Sequence, residues 1–263
     1  MLNVAVLGSG RMARGILQVI EGSDQCQASG VWLRDKAKIS EFRDAHQRDA
    51  SGKVLISDDL AAVLAAADIA IDFTLAQANA TVIEQVVTAG LPLVCGVSGL
   101  DESQQQSLLE ASERIPLLYD RNMSYGIAVL TRLLQEVGGA FSNGFETEIH
   151  ESHHRHKKDA PSGTALLLGE TLAESRGRKL EDVYFYDPSG ARPESSGKIG
   201  FFVTRDGETP GDHKVVFRSP SETIQISHSV ADRRVFAEGA VKAALWLADR
   251  EPGLYRMSDL LIE

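Results

Sequence analysis

Hydrophobic and polar positions fall into two regimes along the chain. Up to about residue 120, short apolar runs alternate with helix-length segments of mixed polarity. Leu2 to Gly8 is an apolar run ending in glycine, the pattern of a strand buried on both faces. Ile16, Leu17 and Ile20 follow at helical spacing. Gln27–Leu33, Asp68–Phe73, Leu91–Gly96 and Pro116–Tyr119 read as further strands. Between them, Asn79–Ala89 reads as a helix with Asn79 as its cap, stopped by Gly90 and Pro92. Asp101–Ile115 reads as another, with Asp101 as cap.

The second regime begins with a helix over Tyr125–Ala140 and a strand over Glu146–Ser152. Pro161-Ser162-Gly163-Thr164 then opens a helix through Ala165, Leu166, Leu167 and Leu168. Strand-like runs follow at Val183–Tyr186, Lys198–Thr204, His213–Phe217 and Thr223–Ser229, separated by turns such as Asp206-Gly207 and Pro210-Gly211-Asp212. A last helix, Val235–Ala248, is apolar at Ala240, Ala243, Ala244 and Leu247.

Alternating strands and helices predict an α/β unit, a doubly wound parallel sheet. Consecutive strands with tight turns predict a second, α+β unit with a mixed or antiparallel sheet. The switch places the nucleotide domain at residues 1–122, joined by 234–263 if the closing helix returns to it, and the second domain at 123–233. In an open parallel sheet the carboxyl ends of the strands line one crevice, and here they carry Thr74, Ser98 and Asn122.

Composition narrows the partners. A net charge of −10 argues against nucleic acid. Two cysteines, Cys26 and Cys95, make no disulfide framework, which fits a reducing, cytoplasmic setting. Apolar runs stay below membrane-span length, and the first residues lack the features of a signal peptide.

Two stretches carry the chemistry. Strand, Gly8-Ser9-Gly10-Arg11-Met12 turn and helix make a phosphate-binding opening, although Gly8, Gly10 and Gly15 do not keep the strict G-x-G-x-x-G spacing. A βα turn without a ligand would look the same. At the end of the second strand, Arg34 suits a ribose 2′-phosphate with Lys36 and Lys38 nearby, Asp35 suits a 2′-hydroxyl, and a solvated charge cluster is the equal alternative. The other stretch, Glu146–Ala165, holds His150, His153, His154 and His156 beside Arg155, Lys157 and Lys158, four of the seven histidines in an acidic chain. Proton donors, fixed positive charge and a helix N-terminus together suit a small anionic substrate that takes up a proton. A solvated loop is the bland alternative. No metal is expected: the histidines lack the spacing of a helical zinc site, no cysteine is near, and Lys and Arg repel a cation. His213 and His228 read as structural strand residues.

The run from Glu148 to Ala165, together with Ile71-Asp72-Phe73-Thr74 and Arg233–Leu247, resembles the 4-hydroxy-tetrahydrodipicolinate reductase (dihydrodipicolinate reductase) family over nearly the full length. The resemblance implies a Rossmann-like nucleotide domain and NAD(P)H-dependent reduction of a cyclic imine dicarboxylate in lysine and diaminopimelate biosynthesis. It also implies a homotetramer assembled through the β-rich second domain. It puts His153 and Lys157 on the catalytic positions, and His154, Gly163, Thr164 and Arg233 on substrate contacts. Gly8, Ser9, Gly10, Arg11 and Met12 fall on the pyrophosphate turn. Phe73, Thr74, Gly96, Val97, Ser98, Asp120, Arg121, Asn122 and Met123 fall on further cofactor positions, and Arg34 falls next to the ribose-reading acid. Four features depart from the family pattern: a glycine turn one residue shorter, Leu33 where the acid is usual, Val97-Ser98 in place of paired threonines, and a more polar Asp120–Met123. With no acid at Leu33, both cofactors are expected to serve, NADPH favoured over NADH. A dinucleotide-sensing regulator and another amino-acid dehydrogenase are the alternative readings.

Overall fold

The computed structural model describes residues 1–45, 54–190 and 197–262. They form two compact units, Met1–Ser124 with Arg234–Glu263, and Tyr125–Arg233.

The first unit runs β1 (Leu2–Leu7), α1 (Arg11–Glu21), β2 (Cys26–Trp32), α2 (Ala37–Ala45), β3 (Leu55–Ser57), α3 (Leu60–Leu64), β4 (Ile69–Asp72), α4 (Asn79–Ala89), β5 (Leu93–Cys95), α5 (Glu102–Ser112) and β6 (Pro116–Tyr119). With β12 (Gly253–Tyr255), which the chain adds last, its seven strands, all parallel, lie in the order β12-β6-β5-β4-β1-β2-β3. The chain winds outward from β1 in one direction through β2 and β3, then returns to β4 on its other side. That reversal opens a crevice beyond the carboxyl ends of β1 and β4, where ligands bind in such sheets. Continuous apolar runs make the inner strands: Val4, Ala5, Val6 and Leu7 are fully buried, as are Ile69, Ala70 and Ile71.

Helix ends follow local chemistry. Asp101 caps α5 through a bond from the Gln104 N–H, and the Gln104 side chain answers to the Asp101 N–H. Gly90 ends α4 in the left-handed conformation with φ 67°. Asn79, expected to cap α4, does not: Ala78 occupies the cap position, and Asn79 is a buried first-turn residue. A short helical turn over Ala76–Ala78 precedes it, so the chain enters α4 already coiled and the extended residue, Leu75, lies before that turn.

The second unit contains α6 (Tyr125–Val137), β7 (Glu146–His153), α7 (Gly163–Ser175), α8 (Leu180–Val183), β8 (Tyr184–Tyr186), β9 (Ile199–Arg205), β10 (Asp212–Arg218) and β11 (Thr223–Ser229). Its mixed sheet has the order β11-β10-β7-β9-β8: β7 is parallel to β9 and antiparallel to β10. α6 and α7 share a core with Ile149, Phe201, Val215 and Phe217 on one sheet face. Val183, expected in a strand, ends the one-turn helix α8, and α6 stops at Val137 ahead of Gly138 and Gly139.

The chain then returns to the first unit as α9 (Arg234–Leu247) and β12 (Gly253–Tyr255), which pairs with β6. α9 lies against α1, β4, β5 and β6. Its buried side carries the small residues Ala237, Gly239, Ala240, Ala243 and Ala244 beside Val241 and Leu247, and the small ones let it approach closely. A Cβ at Gly239 would land on the Met123 carbonyl oxygen. Gly239→Ala is therefore expected to cost at least about 1–3 kcal/mol, because the atom met is backbone and cannot swing away. Denaturant unfolding checks this; a midpoint equal to that of the wild type would contradict the packing of α9.

Candidate active site

In the first unit, the strand ends gather the expected cofactor residues at one edge. Gly8 closes β1 with φ 123°, and a Cβ there would sit 3.0 Å from the Phe73 carbonyl oxygen, so only glycine lets the turn after β1 pass the end of β4. α1 starts at Arg11 behind Gly10, with no side-chain cap and no acid in its first turn. Its free N–H groups and Arg11 suit an anion, in contrast to α5, where Asp101 already occupies that place. Gly8, Ser9, Gly10, Arg34, Phe73 and Thr74 line a cleft of about 280 Å³, with Asp35 and Lys38 at the same edge. The residues fit a bound dinucleotide: an uncapped helix start for its pyrophosphate and a side-chain-free path at Gly8 and Gly10.

At the end of β2, burial separates the side chains. Leu33 is 1% exposed and belongs to the core, so Arg34 is the first solvent-facing residue after β2. The Asp35 carboxylate accepts from the Ala37 N–H at 3.0 Å and lies 3.9 Å from the Lys38 ammonium, which turns it toward its own helix start. Gly96, Val97 and Ser98 follow β5, and Asp120, Arg121, Asn122 and Met123 follow β6. Val97 and Met123 are buried core side chains, so any ligand contact they make is through backbone. The Asp120 side chain accepts from the Met257 and Asn122 N–H groups, a structural role beneath the crevice.

In the second unit, His153 ends β7 on its core face, 7% exposed. Two residues earlier on the same face is Glu151, also buried. His153 Nδ1 and Glu151 Oε2 are 2.6 Å apart. Glu151 Oε1 accepts from Arg205 Nη2 at 2.8 Å and from the Ser162 N–H at 2.9 Å. Burial alone would raise the Glu151 pKa, but His153, Arg205 and Ser162 together hold it down to about 2. From β10, His213 pairs in register with Glu151, meets the His153 ring edge to face at 5.1 Å, and reaches the Ser162 hydroxyl at 3.2 Å. Burial first, and then the charge of His153, push His213 down to about 3, so it is a neutral ring. Ser162 also caps α7, its Oγ accepting from the Ala165 N–H, which leaves Gly163 and Thr164 in the first turn.

The other expected residues surround this centre. Lys157 Nζ lies 2.8 Å from Asp159 Oδ2. The His154 N–H donates to the Thr209 carbonyl, holding the histidine loop against the β9–β10 turn. His154 is shifted below its ordinary pKa by desolvation first and then by the positive charge of Arg233, which connects that exposed arginine to the site. His150 and His156 stand apart: His150 contacts Glu148 on the opposite sheet face, and His156 is exposed. Glu151 and Arg205 were not singled out in the sequence, and His213 was read as structural only. The period-2 pattern from His153 points to Glu151; His213 and Arg205 become visible only once β10 and β9 are known to flank β7. Glu151, His153 and His213 bring donor atoms within 4.8 Å of one another, a grouping different from the histidines weighed in sequence. The Arg205 guanidinium on Glu151 opposes a cation there.

A parallel sheet with an uncapped phosphate turn, and a second unit with a buried histidine–carboxylate centre at a helix start, define a dinucleotide-dependent oxidoreductase. The family models for dihydrodipicolinate reductase, N-terminus and C-terminus, match residues 2–123 and 126–261. A 4-hydroxy-tetrahydrodipicolinate reductase from Thiobacillus denitrificans is 36% identical over 99% of this chain and 98% of its own length. One from Zymomonas mobilis is 39% identical over 99% and 97%. The dipicolinate-bound dihydrodipicolinate reductase from Paenisporosarcina sp. TG-14 shares the fold over the full length of both chains, with a TM-score of 0.80 at 20% identity. This chain belongs to the dihydrodipicolinate reductase family.

Beneath the crevice, Asp72 is fully buried at the end of β4, its Oδ1 accepting from the Thr74 N–H. Burial raises its pKa to about 6, against the opposing pull of Thr74. A carboxyl raised above its unfolded value of 3.8 binds its proton more tightly when folded, so stability is lost as pH rises from about 4 through about 6. Asp72→Asn removes that loss. The stability of Asp72→Asn relative to wild type is expected to improve by about 3 kcal/mol between pH 4 and pH 7.5. Unfolding curves at the two pH values measure it; a difference independent of pH would show that Asp72 stays ionised in the fold.

Proposed function

We propose that this chain reduces the cyclic imine derived from 4-hydroxy-tetrahydrodipicolinate to tetrahydrodipicolinate with NAD(P)H, in lysine and diaminopimelate biosynthesis. The observation that carries the reading is the buried Glu151–His153 contact beside the Ser162-capped start of α7. It joins a proton donor to an anion-binding helix end, which a dicarboxylate substrate needs and a sensor does not.

The first unit holds the cofactor: the start of α1 and Arg11 take the pyrophosphate, and the ends of β4, β5 and β6 take the nicotinamide side. When bound, the reduced nicotinamide supplies a hydride. The second unit binds substrate. The N–H groups of Gly163 and Thr164 hold one carboxylate at the helix N-terminus. His154 and Arg233 add donors and charge near it. Lys157 supplies a cation, which exchanges Asp159 for the substrate. Negative charge builds on the conjugated imine as it is reduced, and His153 delivers the proton that quenches it. Alternate positions on the second sheet, among them His150, Phe202 and Lys214, lie on the face opposite α6 and α7 and support assembly into a homotetramer. Two buried free cysteines agree with a cytoplasmic setting. No helix among the described residues is long and apolar enough to cross a membrane.

His153→Gln is expected to lower turnover by about 10²–10⁴ while cofactor affinity stays near that of wild type. Undiminished turnover with the cyclic imine would overturn the assignment.

For the cofactor, we infer dual use with NADPH favoured. Arg34 is exposed with no acid before it, and Asp35 is held by Ala37 and Lys38. A charge-assisted bond to the 2′-phosphate is worth about 1.5–3 kcal/mol when desolvated, and roughly tenfold survives if about 1.4 kcal/mol does. Comparing kcat/KM for NADPH and NADH in wild type and Arg34→Ala tests it. The variant should lose the preference; a wild-type preference for NADH would contradict the reading.

A further inference from the structure

The same centre contains a residue whose work lies one step behind the proton donor. Glu151 is the carboxylate on which three separate pieces of the site converge. From its own strand comes His153 Nδ1, at 2.6 Å. From β9 comes Arg205 Nη2, at 2.8 Å, which also donates to the Asp159 carbonyl at 2.6 Å. From the start of α7 comes the Ser162 N–H, at 2.9 Å. The carboxylate is 2% exposed, so water does not compete for these contacts.

We propose that Glu151 is a positioning residue: it holds His153 with the proton on Nδ1, leaves Nε2 as the donating atom, and through Ser162 keeps the carboxylate-binding start of α7 in register with it. The proposal rests on reading His153 as the acid. A carboxylate has no proton to offer, so the nitrogen facing it carries one. The groups around His153 act in both directions. Glu151 is acidic, while Arg205 from β9, and His154 and Lys157 from the following loop, are basic. His213 from β10 is neutral. Asp206, whose N–H bonds the His153 carbonyl, turns its own carboxylate to the Gly207 N–H. Asp159 lies on Lys157. Arg205 shares the carboxylate with His153 from the other oxygen, so it sets how much of the Glu151 charge His153 feels. At the far side of the ring, Gly211 borders Nε2 closely: a Cβ there would stand 2.9 Å from it.

Glu151→Gln and Arg205→Met pull in opposite directions, which separates positioning from a structural effect. Glu151→Gln keeps an oxygen for Ser162 and Arg205 but presents an amide N–H to Nδ1. The expected result is a fall in kcat of tenfold or more with KM for both substrates within about threefold, and an alkaline limb of the kcat profile at least one pH unit lower. Arg205→Met leaves the whole carboxylate to His153, and the limb should move upward. Glu151→Asp, which restores the charge, should return the limb toward its wild-type position. Imidazole titration of the intact protein by NMR, with His153 assigned from His153→Gln, reads the same shifts without turnover. It therefore decides the role of Glu151 even if His153→Gln proves active and the acid assignment fails. His153 titrating at the wild-type pH in Glu151→Gln, or shifts of the same sign in both variants, would overturn the proposal.

Discussion

A carboxylate buried in a protein interior must be met on its lone pairs by donors or charges, or it will not stay ionised. Glu151 imposes that requirement on the second unit. It sits on the core face of β7 where the sheet gives way to the histidine loop, and its demands draw Arg205 from β9, Ser162 from the start of α7 and His153 from its own strand into one place. Satisfying the carboxylate also fixes the loop between β7 and α7 at both ends. The fixed loop ends are what can act on a ligand: an imidazole with one nitrogen against a carboxylate, and the first turn of α7 at Gly163 and Thr164. His213 and the Ser162 hydroxyl close the arrangement from β10.

The first unit solves a different problem, binding an anion with backbone rather than with a charged cage. The turn after β1 crosses the end of β4 at Gly8 with no room for a side chain, and α1 begins without a cap of its own. The neighbouring helix α5 shows the contrast, since Asp101 and Gln104 close its start completely. The ends of β2, β4, β5 and β6 then supply side chains in strand order along one crevice. The buried Asp72 under it orients the Thr74 N–H at a cost in stability at neutral pH.

Much of this was legible in the sequence, because local chemistry decided it. Apolar runs ending in glycine located β1 and β5, Asp101 was legible as the cap of α5, and Pro161–Thr164 located the start of α7. The short elements β3, α3 and β12 escaped, since three to five residues carry too little periodicity to separate from loop. Asn79 misled because an asparagine before an apolar helix is a cap only if the chain reaches it extended, and here a helical turn comes first. Val97 and Met123 carry family positions but are core side chains. In the active centre, the histidine run was conspicuous, yet Arg205 and His213 were not. They lie more than fifty residues downstream, and only the flanking of β7 by β9 and β10 brings them to Glu151.

The central claim is that substrate is held at the start of α7 and protonated from His153. A crystal structure of the protein with reduced cofactor analogue and pyridine-2,6-dicarboxylate tests it most directly. The account predicts one carboxylate on the Gly163 and Thr164 N–H groups, with the ring against His153. At the other end of the same sheet lies a cleft lined by Arg176, Arg178, Arg218 and Glu146. The dicarboxylate found there, with the start of α7 bare, would contradict the account.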